Sequence, residues 1–375
     1  MPTDMTAPIS QVSPGSYGSF IPTVQPLRQD FLDEAQTHLD SLTKPRGSLG
    51  RMEDLAKKLF AVCCGQIPIT VSPALMLTVA ADHGVAEQGV SPYPQSVSRQ
   101  MVLNFLNGGA GINVLCRTSD MDLRIVDAGC TGGPFGAHKM LLDRRLGDGT
   151  ADMSRGAAMS RETCQKGLLT GIELACEAVS QGYRCLGVGE MGIANSTAGA
   201  ALYSALLNID AGDIVGPGAG SDAAMVQHKT EIVRRALHVN AKILQTGDAV
   251  DILAAVGGFE IAVMCGLMLG AASRRLPVLV DGYICGAAYA AAAAICPEVS
   301  GYCILSHLSA EPGHKLAMDR LCAARPQDSI PPLLHLGMRL GEGTGGAVAY
   351  HLLRCAAAIY NDMATMRSAG VSGRM

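Results

Sequence analysis

Three glycine-rich segments carry residues whose types and spacing could do chemistry. Gly187, Gly189 and Gly192 form a G-x-G-x-x-G pattern around Glu190 and Met191, directly after an apolar run and before a helical one. Such glycines let a backbone turn approach a pyrophosphate, and an acid about 20 residues further on would hold a ribose; Asp210 and Asp213 lie near that offset. Glu190 counts against this use, because its carboxylate would face the pyrophosphate. A plain strand-to-helix turn is the other reading. The second segment, Gly216-Pro217-Gly218-Ala219-Gly220, precedes a predicted helix from about Ser221 to His238 that carries Lys229. Backbone N–H groups at a helix start plus one ammonium suit a phosphate monoester, and an ordinary connection with a solvated lysine fits as well. The third, Arg339 to Gly346, places Glu342 between Gly341 and Gly343 at the head of an Ala-rich helix. Small neighbours let a ligand approach that carboxylate, and a helix-start acid favoured by the dipole is the alternative.

Two further groups are weaker. His307, Glu311 and His314 fall within nine positions after Ser306, but Pro312 and Gly313 make this a loop rather than an i,i+4 helical pair, and no H-E-x-x-H is present. No metal is expected. Asp82-His83, at the end of an apolar run, reads as an acid/base pair or, more simply, as a hydrogen-bonded turn. The absence of G-x-S-x-G leaves a hydrolase triad without an anchor.

The elements that must position these residues follow one syntax. The apolar run Ala74 to Ala81 follows Pro73 and ends in polar residues, as a buried parallel strand does. Leu123 to Gly129, Arg184 to Gly189, Pro277 to Gly282 and Tyr302 to His307 repeat it, most of them followed by Ala-rich helical stretches. Strands alternating with helices imply right-handed crossovers, so the fold class expected is α/β, a parallel sheet with helices on both faces in a Rossmann-like three-layer arrangement. Ligands then belong outside the carboxyl ends of the strands. Two helical segments over about 29–65, separated by TKPRGSLG, form a smaller helical lobe. The expected organisation is a flexible arm over 1–28, then one unit over 29–375. Its large domain covers about 70–340, beside the helical lobe and a C-terminal helix over about 345–366.

Composition bounds the function. The chain has 375 residues, 48% hydrophobic and 17% charged, which excludes a disordered polymer. With 29 basic against 33 acidic residues, well mixed, there is no electrostatic footprint for nucleic acid. The 13 cysteines are scattered, odd in number and without C-x-x-C, which suits a reducing cytoplasm. The first 28 residues lack the basic start and apolar run of a secretory signal. The longest apolar stretch, 249–272, is interrupted by Asp251, Glu260 and Gly257-Gly258, so a buried helix rather than a membrane span is expected.

Taken in order, TKPRGSLGRMEDLA, ADHGVAEQGVSPYPQSVSRQMVLNFLNGGAGINVLCR, GVGEMGIANSTAGAAL, VGGFEIAVMCGLMLGAA, LVDGYICGAA, LSHLSAEPGHK and RLGEGTGGAVA resemble the nicotinate-nucleotide:dimethylbenzimidazole phosphoribosyltransferase family over about residues 30–370. The resemblance implies transfer of phosphoribose from nicotinate mononucleotide to 5,6-dimethylbenzimidazole in cobalamin biosynthesis, by a homodimer without cofactor or metal. It implies Glu342 as general base and Glu190 as second active-site carboxylate, with Lys229 on the phosphate side. Ser91, Tyr93 and Gln100 then lie in the benzimidazole-pocket segment, with Met191 and Leu340 as apolar walls. The same motifs supply Gly192, Asn195, Asp281, Gly282, Ser306, Gly341 and Gly343 as further substrate contacts. Two departures stand out: Ala194 and Ser196 occupy positions where the family usually has Gly and Thr, and GPGAG lacks an Arg and a Thr common in that loop. The alternatives are an oxidoreductase using GVGEMG with NAD and a nucleotide sensor without catalysis; two carboxylates beside an anionic ligand give a pure phosphate binder nothing.

Overall fold

The computed structural model describes residues 20–372. Its elements, in order, are α1 (Gln29–Ser41), α2 (Arg51–Val62), β1 (Ala74–Ala81), α3 (Ser96–Leu106), α4 (Gly111–Ser119), β2 (Asp122–Gly129), β3 (Leu141–Asp143), α5 (Arg161–Ser180), β4 (Cys185–Met191), α6 (Asn195–Leu207) and α7 (Ala211–Ile214). There follow α8 (Ala223–Val239), α9 (Ala241–Leu244), α10 (Ala249–Val256), α11 (Phe259–Ser273), β5 (Val278–Val280), α12 (Tyr283–Ile295), β6 (Cys303–Leu305), α13 (His314–Ala324) and α14 (Thr344–Asp362). All strand pairs are parallel, in the order β3-β2-β1-β4-β5-β6. The α/β expectation therefore holds, and the order reverses between β1 and β4, the switch point at which open sheets of this kind bind ligands.

Strand β1 is buried along its whole length because both of its faces are covered. Leu75, Leu77, Val79 and Ala81 join one apolar cluster with residues of α5, α6, α10, α11 and α12. Ala74, Met76 and Ala80 join a second with α1, α2, α3, α4 and α14. The helical lobe predicted over 29–65 thus shares its core with the C-terminal helix and one face of the sheet. Of the predicted arm, residues 1–19 lie outside the described residues. The rest, 20–28, packs on the body: Val24 is buried, Phe20, Ile21 and Leu27 lean on the first cluster, and the Gln25 carbonyl accepts from the Tyr302 hydroxyl at 2.7 Å.

The apolar stretch 249–272 splits into α10 and α11 at Gly257-Gly258, and among the described residues no helix is long and apolar enough to cross a membrane. Helix α11 crosses α5 at a very short distance through paired glycines. A methyl group on Gly171 would overlap the Val263 carbonyl oxygen, and one on Gly266 the Leu168 carbonyl oxygen. Strand β4 runs two residues further than the apolar run 184–189 suggests, which puts Glu190 and Met191 on the strand itself.

Candidate active site

A cleft of about 440 Å³ opens at the carboxyl ends of β4, β5 and β6, beside the switch point. The three glycine segments do different work from that read off their spacing. Gly187 and Gly189 lie within β4, not in a turn after it. A Cβ on Gly189 would overlap the Glu342 carbonyl, and one on Gly187 would stand 2.9 Å from the Met76 sulfur. Gly189 admits the backbone of Glu342–Gly343 onto the strand and Gly187 makes room for the Met76 side chain, so the dinucleotide reading fails: neither glycine is free to face a pyrophosphate.

The docked loop is tightly specified. Gly341, Glu342 and Gly343 all take positive φ, +81°, +63° and +99°. For a glutamate that conformation costs about 1–2 kcal/mol, and the surroundings hold it there. The Thr78 hydroxyl donates to the Glu342 carbonyl at 2.7 Å, and the Thr344 hydroxyl to the Gly341 carbonyl at 2.8 Å. The Glu342 side chain is buried, and its Oε2 accepts the Ile112 N–H at 3.0 Å, in the first turn of α4. Burial pushes its carboxyl above the usual range and Asp281 adds to this, while the Ile112 bond pulls the other way. The N-terminus of α14 is not open to a ligand, because Asp281 occupies it: its carboxylate accepts the N–H groups of Gly345 at 2.7 Å, Gly343 at 3.1 Å and Gly346 at 3.3 Å.

Glu190 lies close by, with Asn195 Nδ2 donating to its Oε2 and its other oxygen against the Gly341 Cα. It is 7% exposed, and burial raises its pKa to about 8 against the Asn195 bond, with Asp281, Glu260 and Glu342 adding repulsion. Position 194, just before α6, has φ +75° with alanine in place, a conformation suited to glycine.

On the phosphate side the sequence reading needs correcting. The start of α8 is capped by its own Asp222, whose side chain accepts the Met225 N–H at 2.9 Å. The start of α6 has no side-chain cap, and Asn195 and Ser196 at its head line the cleft. Lys229 is buried, donating to Ser196 Oγ at 3.2 Å and the Gly216 carbonyl at 3.0 Å. Burial lowers its pKa, with Glu311 acting in the opposite sense.

Of the residues expected in the site, Glu342, Glu190, Tyr93, Met191, Gly192, Asn195, Asp281, Gly282, Leu340 and Gly341 line the cleft. Gly343 sits behind it against Met76, and Ser306 is buried beneath α14. Ser91 and Gln100 do not line it. Ser91 Oγ accepts the Tyr93 N–H at 3.2 Å, closing a turn, and Gln100 points to solvent from α3. Sequence reasoning missed Val97, Met101, Ile193, Tyr283, Ile284 and Arg339 in the lining. It considered His307 and Glu311 only as metal ligands, and they line the cleft with Ser309. His307 Nε2 lies 3.5 Å from Asp281, whereas His314 Nδ1 accepts the Ser309 N–H at 2.8 Å, so the two imidazoles serve separate contacts. Asp82 and His83 belong to a hydrogen-bonded turn outside the cleft: Asp82 Oδ2 accepts from Thr131 twice, and His83 pairs with Glu260 at 2.7 Å.

Comparison with known proteins agrees with this architecture. The profile of a family described as Phosphoribosyltransferase matches residues 24–371. A nicotinate-nucleotide–dimethylbenzimidazole phosphoribosyltransferase from Nitratidesulfovibrio vulgaris is 57% identical over 354 residues, 94% of this chain and 97% of that protein. The protein of that name from Chlorobaculum parvum is 44% identical over 96% of this chain and 98% of its own length. The crystal structure of CobT from Thermus thermophilus superposes with a TM-score of 0.86 at 38% identity, covering 92% of this chain and all of that one.

Two outcomes follow from the geometry. Glu190 is raised from 4.5 to about 8, so its folded form favours the proton: that contribution to stability is complete below about pH 4.5 and is lost as pH rises through 8. Glu190→Gln, which cannot ionise, is expected to gain stability over the parent on going from pH 5 to pH 9, by on the order of a few kcal/mol, read as urea midpoints at both pH values. Ala194→Gly is expected to stabilise the fold by about 1 kcal/mol through relief of the left-handed backbone, checked by the same midpoints.

Proposed function

Because this chain belongs to the nicotinate-nucleotide:dimethylbenzimidazole phosphoribosyltransferase family, we propose that its cleft moves phosphoribose from nicotinate mononucleotide to 5,6-dimethylbenzimidazole, giving α-ribazole 5'-phosphate and nicotinate with inversion at the anomeric carbon. The observation that carries this reading is the pair of buried carboxylates, Glu190 and Glu342, brought together at the switch point by the seating of one loop on β4. The donor's pyridinium is already a cationic leaving group and needs no acid. The site has three tasks: to hold the phosphate, to stabilise positive charge on the ribose and to take one proton from the incoming base.

Glu342 takes that proton. As its carboxylate accepts the N–H of the benzimidazole, the other ring nitrogen attacks the anomeric carbon. The bond to the pyridinium nitrogen then breaks, its electron pair returning to the ring as neutral pyridine nitrogen. A base raised above the ordinary carboxylate range is better matched to this step near neutral pH. Glu190, whose pKa burial raises to about 8, is drawn toward ionisation by the cationic donor and then faces the developing ribosyl charge. The phosphate belongs at the uncapped start of α6, beside Ser196 and the third N–H of Lys229. Tyr93, Val97, Met101, Met191 and Leu340 make the apolar wall for the acceptor base.

We also propose a homodimer acting in the cytoplasm. Tyr93 and Leu340 flank the cleft while 49% and 60% exposed, and Leu103 and Val114 on α3 and α4 are half exposed, an apolar rim suited to a second copy. The 13 cysteines are all unpaired, as in a reducing compartment.

Mass spectrometry of a reaction with nicotinate mononucleotide and dimethylbenzimidazole is expected to show α-ribazole phosphate. Glu342→Gln keeps shape and hydrogen bonding but not basicity, so its kcat is expected to fall by about 10²–10⁴ with smaller changes in binding; near-parental turnover would remove the base assignment. Sedimentation at low micromolar protein is expected to give about twice the 38.9 kDa chain mass, and a fully active monomer would refute the dimer.

A further inference from the structure

Glu311 is a buried carboxylate that feels the Lys229 charge but accepts no hydrogen bond among the described residues. It is 6% exposed, it lines the cleft, and among the described residues neither of its oxygens has a hydrogen-bond partner. A buried, acceptor-only group left in this state is costly, so its position makes sense only if a donor arrives with the ligand. The surrounding turn holds it in place. The Glu311 N–H donates to Ser309 Oγ at 3.3 Å, its carbonyl accepts the His314 N–H at 3.0 Å, and Gly313 sits so close to α7 that a Cβ there would be 2.5 Å from the Ile214 Cα. Its Oε2 lies directly against Gly216, whose carbonyl is taken by Lys229. The donor-rich and acceptor-only side chains therefore bracket one glycine, with Glu311 lining the cleft and Lys229 standing behind the Ser196 and Gly218 that line it.

The chemistry of the donor nucleotide then sorts its groups between them. At neutral pH the phosphate, the nicotinate carboxylate and the ring oxygen of nicotinate mononucleotide are acceptors; its two ribose hydroxyls are its principal hydrogen-bond donors. The phosphate goes to Lys229 and the α6 terminus, and a carboxylate next to that point is tolerable only if it meets hydroxyls. We propose that Glu311 accepts hydrogen bonds from the ribose hydroxyls of the donor and is the residue by which this site selects ribose over 2'-deoxyribose. The assignment rests on the phosphoribosyl-transfer reading above. It concerns specificity, separate from the charge and proton roles of Glu190 and Glu342.

The experiment offers the enzyme nicotinate mononucleotide and its 2'-deoxyribose analogue together, with dimethylbenzimidazole, and reads both products by mass. The parent chain is expected to favour the ribose donor by about 10² or more in kcat/KM, because the deoxy donor leaves the carboxylate unmatched. Glu311→Ala is expected to lose activity mainly with the ribose donor, so that the preference collapses below about tenfold, and Glu311→Gln, which keeps one acceptor oxygen, to fall between. Where turnover is too slow, calorimetric dissociation constants for the two donors replace the rates. A ratio unchanged in both variants, whatever their absolute activity, overturns the proposal, as does a parent enzyme indifferent to the 2'-hydroxyl. Failure of the functional reading looks different: the parent would then form neither product, while the ratio of the two dissociation constants would still judge Glu311.

Discussion

The backbone of Glu342 and Gly343 lies on strand β4 where Gly189 presents no side chain, and the placing of both cleft glutamates depends on that contact. Any Cβ on Gly189 would occupy the space of the Glu342 carbonyl. Backbone lying on backbone fixes the loop far more closely than side-chain packing does, because neither partner has rotamers to adjust. Three residues in left-handed conformation, with Thr78 and Asp281 holding the two ends, leave Glu342 one place to go. The same seating brings Gly341 against the Glu190 carboxylate, so the second acid is placed by the loop that carries the first.

Four carboxylates around one cleft must each be reconciled with burial. Glu342 and Asp281 use helix N-termini, where backbone N–H groups and the dipole favour a negative charge. Glu190 has one amide donor, and its raised pKa records how incompletely that compensates for desolvation. Glu311 has none. The series runs from a carboxylate that accepts three backbone N–H groups to one that accepts no hydrogen bond among the described residues. The ligand-facing end of that series is where substrate must complete the hydrogen bonding.

Much of the architecture was legible because buried parallel strands are continuous apolar runs. Ala74 to Ala81 was delimited to the residue, and the other long strands to within one or two. The three-residue strand β3 at the sheet edge escaped, since Leu141–Asp143 is too short to carry a period. Glu190 and Glu342 could be singled out by their glycine neighbours, but not the reason for those glycines: local spacing suggested a phosphate turn, whereas the need came from a loop far along the chain. The start of α8 was misjudged for a similar reason, as Asp222 is an ordinary helix cap that disables the anion site its glycines advertised. Ser91 and Gln100 share a segment with Tyr93 and Val97; the phase of α3 turns Val97 and not Gln100 to the cleft, and the turn before it does the same for Tyr93 over Ser91. Glu311 was hidden in a histidine-containing loop that invited a metal.

The order in which the polypeptide leaves the ribosome gives the late docking of residues 341–362 a consequence. All six strands are complete once residue 305 has been made, but α14, which covers one face of the sheet, comes after them. Until then Met76 and Leu279, against which Gly346 of α14 packs, lack that part of their cover, and partly exposed apolar surface of this kind makes a chain prone to association. Arrival of the last helix buries that face and delivers Glu342 in the same event. A chain interrupted before this point would therefore lack the base and expose a sticky face together, so quality control that removes sticky chains also removes inactive ones.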